Sequence, residues 1–188
     1  MSVPEPRIGT VWRSRRSGPY GRVFAAIDFE TANSARDSAC ALAVVRVENE
    51  RIVAKRHWLI RPPTRDFEFT WLHGLSWADV RTADSFADVW AEAWPVAEGA
   101  EFIAAHNASF DRSVLMACTG RAGIRLPETR FECSMLLARR MLGIYPTRLS
   151  DVCRHLGIPL RHHDALSDAV ACARIVLAAA RRTRVEGR

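Results

Sequence analysis

Three strand-like runs follow one another in the first third of the chain: Arg22 to Phe29, Ala39 to Val47 and Arg51 to Ile60. They are rich in apolar and β-branched residues without helical spacing, so this part of the chain must form a sheet. The turn-like Glu48-Asn49-Glu50 joins the last two, and the three together predict a meander. Arg61-Pro62-Pro63 stops the third run, and a long connection leads to Ser76 through the cluster Trp71, Leu72, His73, Gly74 and Leu75. From Ala83 to Ala97, Phe86, Val89, Trp90 and Ala93 recur at helical spacing, predicting a helix with one face on the sheet. A short strand is expected at Glu101 to Ala105. Helices are expected over Phe110 to Ala122, Ser134 to Leu142, Leu149 to Leu156 and Asp164 to Arg182. Strands early and helices late describe an α/β sheet with helices packed on it.

At 188 residues the chain suits one domain with a substantial core. Its 48% hydrophobic and 26% charged residues are a globular composition, and no apolar run reaches the roughly 18 residues that span a bilayer. The first residues lack the apolar stretch of a secretory signal, so a cytoplasmic location without membrane attachment is the expectation. The net charge of +6 points to a polyanionic partner, but its distribution is uneven. Residues 1–22 hold five arginines against one glutamate (+4) and residues 181–188 four against one (+3), which leaves −1 for the rest. The expected organisation is therefore a basic tail at 1–21, a near-neutral domain at 22–182 and a basic tail at 183–188. The tails are either solvated ends or loose phosphate contacts. Five scattered cysteines, with no C-x-x-C pair, read as free and mostly buried thiols.

Three acidic constellations carry candidate chemistry. In Ile27-Asp28-Phe29-Glu30-Thr31, alternation along a strand sends Asp28 and Glu30 to one side and Phe29 to the other, so the two acids could share a cation or simply close a solvated strand end. In Ala104-Ala105-His106-Asn107-Ala108-Ser109-Phe110-Asp111, a strand turns into a helix. There Asn107 or Ser109 could cap while Asp111 complements the helix dipole. In His162-His163-Asp164-Ala165-Leu166-Ser167-Asp168-Ala169, Asp164 could cap the last helix. Residues five apart in a helix lie about 140° around the axis from each other. His163 and Asp168 therefore converge only if His163 sits in the loop ahead of that helix.

Taken together, Asp28-x-Glu30, His106-Asn107-Ala108-Ser109-Phe110-Asp111 and His163-x-Ala165-x-x-Asp168 closely resemble the motifs of the DnaQ-like, or DEDDh, exonucleases, the family of the proofreading subunit of bacterial replicative DNA polymerase. Leu72-His73-Gly74-Leu75-Ser76 resembles that family's I-H-G-I-T segment. Arg148-Leu149-Ser150-Asp151-Val152-Cys153 with Leu156-Gly157-Ile158 resembles its stretch before the third motif. The sister group with tyrosine four residues before the last aspartate does not fit, because that position is Asp164. Leu75, Ser76, Cys133 and Ser134 depart from the commoner residues but touch no acid of the set.

The resemblance implies a ribonuclease H-like mixed sheet of about five strands flanked by helices. It also implies 3′→5′ exonuclease activity on single-stranded nucleic acid, DNA before RNA, releasing nucleoside 5′-monophosphates. Asp28, Glu30, Asp111 and Asp168 would hold two divalent cations, Mg2+ or Mn2+, as hard oxygen donors do. Asp28, Glu30 and Asp168 would serve the side of the attacking water, and Asp28 and Asp111 the leaving group. His163 is the implied general base, with His162 an ordinary surface histidine and His106 structural. Phe29, Thr31, His73, Gly74, Leu75 and Asn107 are the implied substrate contacts, although Phe29 and Leu75 read equally as core. A DNA polymerase or repair partner is a further implication. The alternatives are an exoribonuclease on the same fold and a non-catalytic nucleic-acid-binding module.

Overall fold

The computed structural model describes residues 23–186, with side chains through residue 182. The expected basic tail at 1–21 lies outside the described residues. In chain order the elements are β1 (Val23–Thr31), β2 (Ala39–Glu48), β3 (Arg51–Leu59), α1 (Thr70–His73), α2 (Trp77–Val80), α3 (Phe86–Ala97), β4 (Ile103–Ala105), α4 (Ala108–Ala122), β5 (Phe131–Cys133), α5 (Ser134–Leu142), α6 (Leu149–Leu156) and α7 (Ala165–Glu186). The last helix thus continues past Arg182 to Glu186, into the stretch expected to be tail.

The five strands form one mixed sheet in the order β3-β2-β1-β4-β5. The meander is antiparallel, as its short connections require, whereas β4 and β5 run parallel to β1 after helical crossovers. Asn49 and Glu50 both take left-handed backbone (φ 47° and 64°), the two-residue hairpin geometry whose twist matches the flanking strands. β5 is absent from the strand-like runs because Phe131-Glu132-Cys133 is short and, unlike the all-apolar Ile103-Ala104-Ala105 of β4, is broken by an acidic residue. Two single-turn helices, α1 and α2, occupy the long connection after β3, and Gly74 ends the first of them at φ 78°.

Helices cover both sheet faces. On one, Ala25, Ile27 and Phe29 of β1 pack with Val89, Trp90 and Ala93 of α3 and with Val114, Leu115 and Cys118 of α4. On the other, Phe24 and Ala26 meet Ala165, Ala169, Cys172, Ala173, Val176 and Ala179 of α7. These α7 residues fall three or four positions apart along one stripe, apart from the adjacent Cys172 and Ala173, and are mostly alanine, so the helix axis can lie close against the strands. The opposite flank of α7, with Ala171 and Ile175, packs on Ile144, Leu149 and Val152 around α5 and α6. Four cysteines are buried and Cys133 half-buried, all unpaired, as the sequence suggested. Among the described residues no helix is long and apolar enough to cross a membrane.

The alanine contact makes a prediction. Ala169 is fully buried against the sheet, so Ala169→Leu should force α7 outward and cost about 1–3 kcal/mol in urea unfolding. Activity should fall with it, because Asp168 is the neighbouring residue. An unchanged midpoint would mean that α7 does not sit as close as described.

Candidate active site

The parity of β1 builds the first half of the site. Residues 24 and 26 face α7, so Asp28 and Glu30 on the same face emerge just beyond the packed alanines, toward the start of that helix. A bulge interrupts the β1–β2 ladder between Glu30 and Thr31, where the strand leaves its regular register. Asp168, in the first turn of α7, is only 5% exposed. Asp111 in the first turn of α4 is 2% exposed.

Why Asp111 joins the others follows from the short length of β4. The Ala25 N–H donates to Phe102 O on the β4 side of β1. The Phe29 N–H, four residues on, points the same way but lies beyond the end of β4. Asp111 Oδ1 accepts from it at 3.0 Å. A backbone donor that would otherwise be stranded is satisfied, and the carboxyl is fixed beside Asp28 and Glu30. The capping account of this segment is therefore incomplete: Asn107 stands at the N-cap in left-handed backbone (φ 68°) without capping through its side chain, which instead accepts from Ser109 Oγ at 3.2 Å.

Gathering four acids has an electrostatic cost. Burial, then the charges of Asp111, Asp168, Glu30 and Asp164, hold the Asp28 carboxyl well above the usual carboxylate range. Burial, followed by Asp168, Asp111 and Asp164, pushes Glu30 up to about 8. Burial raises Asp111 to about 7, and Asp168 is raised by burial against the opposing pull of His162. Asp168 Oδ1 is buried with no hydrogen-bond partner. Four clustered oxygen donors, Asp28 and Glu30 raised by the charges of their neighbours as well as by burial, and one orphaned buried oxygen form a set that a hard cation would relieve by displacing the protons. The residues fit the divalent cations that the resemblance implied.

The loop ahead of α7 holds the histidines. Asp164 caps the helix, its Oδ1 accepting from the Ser167 N–H at 2.9 Å, and this leaves His163 in the loop as the spacing required. His163 has left-handed backbone (φ 66°), a conformation rare outside glycine, and its N–H donates to Asp168 Oδ2 at 3.3 Å. The turn so formed stacks the His162 and His163 rings at 3.8 Å and brings His162 Nδ1 to 3.1 Å from Asp168 Oδ2. His162 is thus more than the ordinary surface histidine expected. Local spacing could not reveal this, because the positive φ at His163 reverses the loop. Burial and the neighbouring His162 lower the His163 pKa, so its imidazole is neutral near pH 7. Donor atoms of His162, His163 and Asp168 lie within 4.8 Å of one another, and among the described residues no other trio of His, Cys, Asp or Glu side chains is that tight.

The implied substrate contacts divide. Phe29 is buried in the core on the opposite sheet face, against Phe86, so its ring is not available to a ligand and only its backbone serves the site. Thr31 is buried too, its carbonyl accepting from His73 Nε2 at 3.1 Å, while His73 Nδ1 accepts from the Leu75 N–H at 3.1 Å. Both nitrogens of His73 are therefore engaged in shaping the loop, with Gly74 at its exposed apex and Leu75 half-buried. His106 is structural: its nitrogens pair with Ser134 Oγ and Thr147 O, each at 2.9 Å.

A cleft of about 620 Å³ opens over two of the four acids, Asp28 and Asp168, and is lined further by His106, Asn107, His162 and the loop from Tyr145 to Leu149. Tyr145 and Arg148 did not stand out as site residues in the sequence. The available signal, an aromatic residue before proline ahead of a helix, reads equally as a turn.

A family model described as "Exonuclease" (RNase_T) matches residues 25–176. No curated protein matches the sequence. Among solved structures, the fold is shared with exonuclease X in complex with 5′-overhanging duplex DNA (24% identity, TM-score 0.67, 88% of this chain and 93% of that one). It is shared equally with the nuclease domain of 3′hExo, a DEDDh family member bound to rAMP (19%, 0.71, 86% and 93%). A third is E. coli exonuclease I in complex with a 5cy-dT13 oligonucleotide (18%, 0.70, 87% and 41%).

Proposed function

The chain belongs to the RNase_T exonuclease family, a hydrolytic nuclease, and from that membership we propose that it removes nucleoside 5′-monophosphates from the 3′ end of single-stranded nucleic acid, DNA before RNA. One observation carries this: four carboxylates from β1, α4 and α7 meet at one end of the sheet, with Asp168 Oδ1 buried and unpartnered among them. The preference for DNA rests on the likeness to an enzyme solved with DNA at 24% identity. The rAMP-bound relative makes RNA the alternative outcome.

Asp28, Glu30, Asp111 and Asp168 would hold two divalent cations, Mg2+ or Mn2+, whose chemistry when bound is to neutralise charge on the attacking and leaving oxygens. The protein's own residues supply position and proton transfer. The N–H of Phe29, the residue after Asp28, holds the Asp111 carboxyl at the end of β1 by a hydrogen bond. His163, neutral near pH 7, takes the proton of the attacking water. A second reading has an observation of its own: if His162 Nδ1–H donates to Asp168, its Nε2 lone pair is free to accept a proton. A DNA polymerase or repair partner and a cytoplasmic site of action remain proposals from the sequence.

The direct experiment is incubation of 5′-labelled single-stranded DNA and RNA with Mg2+, Mn2+ or EDTA. Stepwise shortening that EDTA abolishes is expected, faster on DNA. Internal cuts, or shortening in EDTA, would overturn the reading. The two histidines separate in the same assay. His163→Ala should lower kcat by about 10²–10⁴ and remove the acid limb of the kcat/KM profile, whereas His162→Ala should lower it less than about tenfold. If His162→Ala removes the acid limb instead, His162 is the base.

A further inference from the structure

We propose that Tyr145 is a stacking platform for the base immediately 5′ of the scissile phosphate, with Arg148 and Arg139 beside it for that strand's backbone. This subsite rests on the exonuclease reading above and names where the retained strand lies. Tyr145 is 75% exposed, an unusual position for a large ring, yet it lines the cleft that contains Asp28 and Asp168. Its loop is not loose. Ile144 and Leu149 on either side are buried in the α5–α6–α7 cluster, the Ile144 N–H donates to Ala138 O at 3.1 Å, and Thr147 O pairs with His106 at 2.9 Å. The ring is thus presented from a fixed support, so little conformational freedom is lost when a base stacks on it.

Charge decides which part of the substrate belongs here. The Arg139 guanidinium lies over the Tyr145 ring, 5.5 Å from its centroid, and Arg148 lines the same cleft; both are exposed. At the bond being cut, the departing nucleotide carries only the scissile phosphate, whereas the retained strand continues as a polyanion. A basic wall next to an acidic centre therefore suits the retained strand. An aromatic face flanked by arginines is the combination that binds single strands without reading their sequence.

The test measures binding of a fluorescent single-stranded oligonucleotide by anisotropy, with Ca2+ replacing Mg2+ to hold back turnover. Tyr145→Ala should weaken binding about tenfold and Tyr145→Phe less than about twofold. An oligonucleotide abasic at the penultimate 3′ position should bind wild-type protein about tenfold more weakly, and Tyr145→Ala protein hardly more weakly than the intact strand. With Mg2+, Tyr145→Ala should raise KM and leave kcat within about twofold. Independent, additive losses would overturn the proposal, as would coupling only to the 3′-terminal base or a Phe variant as weak as Ala. Hydrolysis of the intact oligonucleotide by wild-type protein is scored in parallel. Normal hydrolysis without coupling sinks the platform alone, whereas absent hydrolysis sinks the exonuclease reading.

Discussion

Replacing Asp28 by asparagine is expected to lower the rate of mononucleotide release about a thousand-fold, the largest single effect in the molecule. Asp28 has all three other carboxylates among its neighbours, Asp111, Asp168 and Glu30. Loss of its charge therefore weakens both proposed cation positions together. Unfolding is the trivial explanation for such a loss, and the same electrostatics predict the opposite. In EDTA the four acids repel one another, so Asp28→Asn should melt a few degrees higher than wild type. A variant that is inactive and more stable places the residue in the chemistry. A variant that is inactive and less stable would mean that Asp28 is structural.

The second large effect is on stability without cations. All four carboxyls have folded-state values above the ordinary carboxylate range, Glu30 near 8 and Asp111 near 7. Between the unfolded values, about 4, and these raised ones, the folded protein binds more protons than the unfolded chain. Stability is therefore fully present below about pH 4 as far as these groups are concerned, and it is lost as pH rises toward 8. In EDTA the melting temperature should fall by about 5–10 °C between pH 5 and pH 8. Mg2+ or Mn2+ at about a hundred times its dissociation constant should restore about 2–3 kcal/mol at pH 8 and little at pH 5. A melting temperature that rises over this range in EDTA would show that the carboxyls do not gather as described. The fluorescence or calorimetric scan needs no substrate, so its outcome is independent of which nucleic acid is cut.

Much of this arrangement was legible before any coordinate. The meander, with its turn at Glu48 to Glu50, the helix carrying Val89, Trp90 and Ala93, and the spans of α5 and α6 follow from periodicity and turn chemistry, which act over a few residues. The common side of Asp28 and Glu30 follows from strand alternation, and the loop position of His163 from the angle between residues five apart in a helix. The family resemblance added the set of acids, because order and spacing along the chain are themselves sequence properties.

Other features depended on partners far away in the chain. Asp111 reads locally as a dipole-complementing residue, but the Phe29 N–H, 82 positions earlier, takes its oxygen once β4 stops short. Phe29 read equally as core and as substrate contact until the core claimed its ring, and Thr31 with Leu75 engaged both nitrogens of His73. Tyr145 gained significance only when α6 and α7 folded its loop over the acids. The sequence by itself determined the meander, the acids and their order. Tertiary structure alone decided that His162, not His163, presents its ring to Asp168, because a positive φ at one loop residue reverses the chain and no periodicity records it.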